Sequence, residues 1–387
     1  MRIAQVILGD AWGGVSPEKL DKGIGGREGA MIRLAREWAR RGHQVTCYVP
    51  TDNPTKFDEP KLELNAGGLP TFGDVYPGGG FHEYVPVNMV RQALQSFVYD
   101  AVVAWECPTI YSDSKIREIQ RVRLVEMQCA HFVSKSEQDN ASKFATGVCA
   151  LSPWHRDFML YDGLRMSENR LHVLPNGVDL SLYPWEPDLS KREGPKRFFY
   201  SSSPDRGLVH LLNMWPMIKG RWPEAELRVA YGVERLTEQV KWMHHKQGEM
   251  ALDVAEGMDQ DGVINVGTIG QKELAQIQHE STALLYPCDP IQPTETGCIT
   301  VIEAMAAGAV PIITDADCLA EEFAEVAMVD RLPFNTESYL LAIETMLEDP
   351  ELYRECMEKG RKFAESRQWK DIALRWLELF EADQERD

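Results

Sequence analysis

The stretch from Ala283 to Ile313 narrows most what this chain can fold into. Ala283, Leu284, Leu285 and Tyr286 form a short apolar run closed by Pro287, the length of a buried strand. Val301, Ile302, Ala304, Met305, Ala306 and Ala307 then predict a buried helix that begins near Thr296 or Gly297 and stops at Gly308, a helix-ending residue. Val310, Ile312 and Ile313 predict a second buried strand. Strand, loop, helix, strand is a βαβ unit, so the chain is an α/β protein.

Two carboxylates mark this unit as a site. Glu295 falls on the loop and Glu303 inside the helix. In βαβ units ligands sit beyond the carboxyl ends of the strands, where a helix N-terminus offers N–H groups and partial positive charge. Thr296, Gly297 and Cys298 supply such donors, and Gly297 lets a ligand approach the backbone closely. Glu303 is placed to reach back over the start of its helix. A plainer reading makes Glu295 a complement to the helix dipole and Glu303 a solvated position. Against it, Glu303 stands in an otherwise apolar run, where an unpaired carboxylate is costly.

At 387 residues the chain suits two domains of about 150–200 residues each. No apolar run approaches the roughly 20 residues of a membrane span, and the opening Met1–Asp10 runs into a strand instead of a signal peptide, so a cytoplasmic protein is expected. The eight cysteines show no C-x-x-C pair and read as buried free thiols. Asp315 and Asp317 imitate a metal-binding pair but read as turn formers, and no metal is assigned.

Charge is uneven. Residues 1–183 carry 20 Lys and Arg against 22 Asp and Glu, whereas residues 184–387 carry 21 against 38. So acidic a second half disfavours nucleic acid and anionic membrane as partners. The basic clusters Arg33, Arg36, Arg40, Arg41 and Lys115, Arg117, Arg121, Arg123 read as solvated helix faces.

Glu295, seven residues, Glu303, then Ala304-Met305-Ala306 and Gly308 resemble the E-x7-E signature of the retaining, glycogen-synthase-like glycosyltransferases of family 4, "group 1". Further similarities run along the chain. Gly25-Gly26-x-Glu28 leads into an apolar helix, Arg41-Gly42-His43 and a strand, as at the N-terminus of that family, and Asn176-Gly177-Val178-Asp179 is similar to the turn that closes its first domain. The loop Ser201 to Gly207 corresponds to the family's Gly-Arg…Lys-Gly segment; Arg206 matches the lysine, and the arginine's place falls on Ser201. That leaves one cation where the family has two, although Arg binds phosphate bidentately.

The resemblance implies two Rossmann-like domains facing each other across a cleft, the GT-B fold. The first would span 1–183, the second, nucleotide-sugar-binding, 184–366, with a C-terminal helix in 367–387 packing back on the first. It implies retaining transfer, without metal or cofactor, of a hexosyl or related sugar from a nucleoside-diphosphate sugar, UDP- or GDP-linked, to a hydroxyl of a carbohydrate, lipid-linked or small-molecule acceptor. Glu295, Arg206 and His131 would be the catalytic set. The donor would be bound by Gly25, Gly26, Ser201, Arg206, Glu295, Thr296, Gly297, Cys298 and Glu303. A nucleotide-sugar epimerase of similar fold, a glycosyltransferase acting on nucleic acid and an inactive sugar-nucleotide-binding protein remain the alternatives.

Outside these motifs, residues 53–87 are rich in Gly and Pro and read as an excursion over the acceptor side, Pro184 to Pro195 as a linker, and Leu236 to Gly248 as a surface helix.

Overall fold

From Ile3 onward the opening strand β1 (Arg2–Val6) is buried on both faces, which only an inner strand of a covered parallel sheet requires. In this computed structural model it lies inside an eight-stranded sheet. The structure describes residues 1–9, 14–52, 54–58, 63–64, 70–71, 80–185, 190, 194–232, 253–254, 256–290 and 292–385. The expected helix at Leu236–Gly248 lies outside them, as does most of the expected linker Pro184–Pro195. The chain divides into two compact units.

The first unit comprises Met1–Leu20, Ile24–Asn176 and Trp369–Asp387. After β1 come α1 (Gly26–Arg40), β2 (Gln44–Val49), β3 (Thr55–Asp58), β4 (Glu63–Leu64), β5 (Pro70–Thr71), β6 (Phe81–Pro86) and α2 (Val90–Leu94). Next are β7 (Ala101–Trp105), α3 (Ser114–Ile119), β8 (Arg123–Glu126), α4 (Lys135–Phe144), β9 (Gly147–Ala150), α5 (Pro153–Tyr161) and β10 (Leu171–Val173). The sheet order is β10-β9-β8-β7-β1-β2-β6-β3, parallel throughout except that β3 runs antiparallel to β6. The 53–87 excursion therefore carries two strands of this sheet, β3 and β6, besides the separate pair β4 and β5. Sequence reading passed over β6 because its buried positions are His82 and Tyr84, polar-tipped residues that hide the alternation.

One face of this sheet is covered by α1 and the last helix, Trp369–Gln384. Trp38 meets Trp376 edge-on at 6.1 Å and Phe380 at 5.4 Å, and its Nε1 donates to the Ala373 carbonyl at 3.0 Å. Arg33 corrects the solvated-face reading: it is buried, with its guanidinium 5.9 Å from the Trp369 ring centroid. An arginine stem covers apolar surface readily when its flat head stacks on an aromatic.

The second unit comprises Asp21–Gly23 and Gly177–Gln368. Its strands are β11 (Arg197–Tyr200), β12 (Glu226–Val229), β13 (Val263–Asn265), β14 (Ala283–Tyr286), β15 (Val310–Thr314) and β16 (Met328–Asp330), ordered β13-β12-β11-β14-β15-β16 and all parallel. Its helices are α6 (Leu208–Arg221), α7 (Gln271–Glu280), α8 (Ile299–Ala307), α9 (Leu319–Phe323), α10 (Thr336–Glu348) and α11 (Pro350–Glu365). The two ends of the long segment meet, since Val178 N–H donates to the Arg367 carbonyl at 2.8 Å beside a parallel bridge from Val178 to Gln368.

The βαβ unit is present as β14-α8-β15. Gly308 ends α8 in the left-handed conformation, φ 76°, which a glycine adopts without a Cβ penalty. The helix starts at Ile299, two or three residues later than the sequence suggests, because Thr296 and Gly297 belong to the turn that sets Glu295. Among the described residues, no helix is long and apolar enough to cross a membrane.

Candidate active site

In the second unit the chain leaves β11 through α6 to β12 on one side, while β14 pairs with β11 on the other. Helices feeding opposite directions from adjacent parallel strands open a crevice at their carboxyl ends. Two loops meet there, Ser201–Gly207 after β11 and Pro287–Cys298 after β14. Gly207 holds them together: at φ 92° it begins α6, and an added Cβ would lie 1.9 Å from the Pro287 carbonyl oxygen. No other residue permits that approach. Across the same edge, Ser201 Oγ bonds Thr300 Oγ1 in the first turn of α8.

Glu295 is the centre of this meeting and is 1% exposed. Its Oε1 accepts from Arg206 Nη1 at 2.8 Å and from the Tyr286 hydroxyl at 2.5 Å. Its N–H, and that of Thr294, donate to Asp317 Oδ2 at 2.9 and 2.7 Å, and its carbonyl accepts from Cys318 N–H at 3.3 Å. A buried carboxylate is tolerable only when paired in this way. Ser202 Oγ lies 3.0 Å from the Tyr286 hydroxyl, extending the chain of bonds to the other loop. Burial is the largest influence on Arg206 and opposes its charge, but Glu295, with smaller help from Tyr286, Asp205 and Cys298, more than offsets it and raises the guanidinium well above its ordinary value. Its side chain is 30% exposed, while its Nε is buried with no hydrogen-bond partner. Burial, reinforced by Glu295, also pushes the Tyr286 phenol and the Cys298 thiol well up, so both stay protonated beside the carboxylate.

Glu303 sits one turn into α8, buried, where the side-chain amides of Gln271 and Gln278 approach its two oxygens at 3.4 Å each. Gln278 is itself fixed by the Tyr183 hydroxyl at 2.8 Å. Ser201, Arg206, Glu295, Thr296, Gly297, Cys298 and Glu303 thus share one end of one unit.

The other three candidates belong to the first unit. Gly25 is the N-cap of α1 and Gly26 its first residue. His131 follows β8, with its Nδ1 3.4 Å from Asp162 Oδ2 and its ring edge-on to Phe158 at 5.0 Å. β1 and β7 are the strands where the chain reverses direction here. There Arg27 bridges Glu106 at 2.7 Å, Glu28 at 2.6 Å and the Gly9 carbonyl at 3.2 Å.

Four residues escaped the sequence reading. In the sequence Tyr286 reads as strand core, Arg27 as the variable position of a glycine motif, and Glu106 belongs to no motif. Asp317 does act as a turn former, in a left-handed conformation with φ 49°, but the backbone it binds is that of Glu295. The cysteine reading needs one correction, since Cys129 is exposed. It lies in the bend after β8, where the chain has left the core.

Two family models match the chain. Glycosyltransferase Family 4 matches residues 24–182, and Glycosyl transferases group 1 matches residues 187–363. The chain belongs to the group 1, family 4 glycosyltransferases. No curated protein sequence matches it. Among solved structures, this glycosyltransferase is similar to sucrose-phosphate synthase from Thermosynechococcus elongatus, at 18% identity, with 100% of each chain covered and a TM-score of 0.68. It is similar also to Anabaena HepE in complex with UDP-glucose, at 16% identity over 99% of this chain and 100% of that one, TM-score 0.68. A third is WaaG, a glycosyltransferase involved in lipopolysaccharide biosynthesis, at 14% identity over 98% and 99%, TM-score 0.64. These likenesses show the GT-B fold. Family membership sets the epimerase alternative aside.

Proposed function

We propose that this glycosyltransferase transfers a hexosyl or related sugar from a nucleoside-diphosphate sugar to an acceptor hydroxyl with retention of configuration and without a metal ion. The observation that carries the reading is the Arg206–Glu295 pair at the start of two helices, α6 and α8. A cation and two positive helix ends at one crevice suit an anionic leaving group. A buried carboxylate beside them suits sugar hydroxyls. The UDP-glucose and UDP complexes of HepE support a uridine nucleotide as the donor.

In this reading Arg206, the Ser201 hydroxyl and the N–H groups of Thr296, Gly297 and Cys298 hold the diphosphate. Glu303 takes the ribose hydroxyls and Glu295 the donor sugar. As the bond to the anomeric carbon breaks, negative charge grows on the departing diphosphate, and preorganised donors stabilise it without reorganising. The acceptor hydroxyl attacks from the face the leaving group vacates, losing its proton to the departing phosphate, while His131 holds sugar and acceptor hydroxyls. The first half carries basic and acidic residues in near balance, which favours a carbohydrate or small-molecule acceptor over a polyanion.

The test is a thermal-shift panel of UDP, GDP and ADP, followed by transfer assays with the matching sugar nucleotides and anomeric analysis of the product by NMR. A melting-temperature rise with one diphosphate, and an α-linked product from an α-linked donor in the presence of chelator, is expected. Donor binding without transfer or hydrolysis would identify an inactive binding protein, and an inverted product would refute retention.

A further inference from the structure

His131 stands on a bend without regular secondary structure, five residues beyond the end of β8. Catalytic positioning on such a segment requires its backbone and ring to be tied down. One residue in the bend, Cys129, is held by both of its backbone polar groups. Its N–H donates to Glu106 Oε1 at 2.7 Å, and the neighbouring Gln128 N–H reaches the same oxygen at 3.2 Å. Its carbonyl lies 3.1 Å from His155 Nε2. The direction of that bond follows from the other ring nitrogen. Leu151 N–H donates to His155 Nδ1 at 3.2 Å, so Nδ1 carries no proton and the proton of the neutral ring is on Nε2, aimed at Cys129. The ring is fully buried, and burial lowers its pKa to about 4, so it stays neutral.

Both anchors are themselves constrained. Glu106 has φ 55°, a left-handed conformation that residues with a side chain rarely adopt. Arg27 holds its second oxygen at 2.7 Å. Such strain persists where surrounding bonds enforce it, and it concentrates at functional positions. His155 lies on α5, whose start is capped by Ser152 and stiffened by Pro153. On the same helix face, three and seven residues on, are Phe158, edge-on to the His131 ring, and Asp162, whose Oδ2 lies 3.4 Å from His131 Nδ1, a contact in which the carboxylate accepts and the ring nitrogen donates. His131 Nε2 is buried with no hydrogen-bond partner.

We propose that Glu106, His155 and Asp162 are positioning residues that hold His131 in the Nδ1-protonated form, so that its Nε2 accepts a hydrogen bond from a sugar or acceptor hydroxyl. The proposal rests on the assignment of His131 to the transfer reaction, and α5 is its template: one helix face grips the Cys129 carbonyl, the ring edge and the ring nitrogen.

The test combines kinetics with imidazole NMR on the full chain. In the wild type, proton–nitrogen correlation should show His131 protonated on Nδ1 and His155 on Nε2; the opposite tautomer on either ring overturns the proposal. His155→Leu should lower kcat about tenfold or more, a misplacement-sized loss, with UDP affinity unchanged because the proposed uridine-nucleotide ligands lie mainly on the other unit. His155→Gln, which keeps a donor toward Cys129, should recover most of that loss and serves where the leucine variant does not fold. Asp162→Asn should shift the His131 tautomer balance. His131→Ala decides the underlying assignment: wild-type turnover there would remove both that assignment and the proposal. A crippled His131→Ala beside wild-type turnover in His155→Leu would overturn the positioning roles alone.

Discussion

Replacing Glu295 by Gln should make the protein bind a nucleoside diphosphate more tightly while destroying its use of the sugar nucleotide. Gln keeps the size of the side chain and leaves an oxygen for the Tyr286 hydroxyl and Arg206 Nη1, now 2.5 and 2.8 Å from the carboxylate, so the crevice should keep its shape. What changes is charge. Glu295 neutralises Arg206, the cation assigned to the diphosphate, and adds its own repulsion toward the incoming anion. At an effective dielectric near 20, a unit charge about 6 Å from a phosphate is worth roughly 3 kcal/mol. Arg206 is 30% exposed, so screening by water should leave about half of that. A gain of about 1.4 kcal/mol is a tenfold smaller Kd for UDP. Calorimetric titration of wild type and variant at one ionic strength measures it, and a steeper salt dependence in the variant would accompany it. The preference for UDP-glucose over UDP should collapse, and kcat with it, because the carboxylate assigned to the sugar hydroxyls is gone. Weaker UDP binding in the variant would refute the reasoning and make Glu295 the group that aims Arg206, not the charge that competes for it.

Glu303→Gln loses charge-assisted hydrogen bonds of about 1.5–3 kcal/mol, so donor affinity should fall roughly tenfold or more in the same titration; an unchanged nucleotide affinity would show that the ribose lies elsewhere. Glu322 is pushed up to about 7 by burial, against the pull of Arg367 at 3.4 Å. The folded protein thus keeps a proton that the unfolded chain releases near pH 4.3. Its contribution to stability is complete below that value and is lost as pH rises toward about 7. Glu322→Gln should flatten the fall in melting temperature across that window, and an unchanged pH profile would contradict it. Trp38→Ala should cost about 3–5 kcal/mol, the usual loss for a buried tryptophan, and should free the last helix for proteolysis; chemical denaturation with limited proteolysis reads both.

What was legible in the sequence was whatever a few neighbouring residues decide. The apolar runs of β14 and β15, the largely apolar α8 and Gly308 at its end reappear at or near the expected positions, because burial period and helix termination act over single turns. Other local signals were present and passed over: Ser134 with Glu137 at the start of α4, Asn335 before α10, and Asp349-Pro350 at α11 all cap their helices. The strand β6 was harder, since its inward residues do not look apolar. Arg33 looked solvated because nothing nearby in sequence announces the Trp369 ring it stacks on.

The sequence by itself determined that this is an α/β chain in two parts, with carboxylates and glycines where strands pass into helices. Tertiary structure decided what those groups touch. That Glu295 is held by Arg206 and Tyr286 while Asp317 grips its backbone, and that His155 and Glu106 close on one residue before His131, depends on which loops converge at a sheet edge. Strand order sets that convergence. Backbone preferences reach only a turn or two along the chain, whereas a buried charge must find its partner wherever the packed strands bring one.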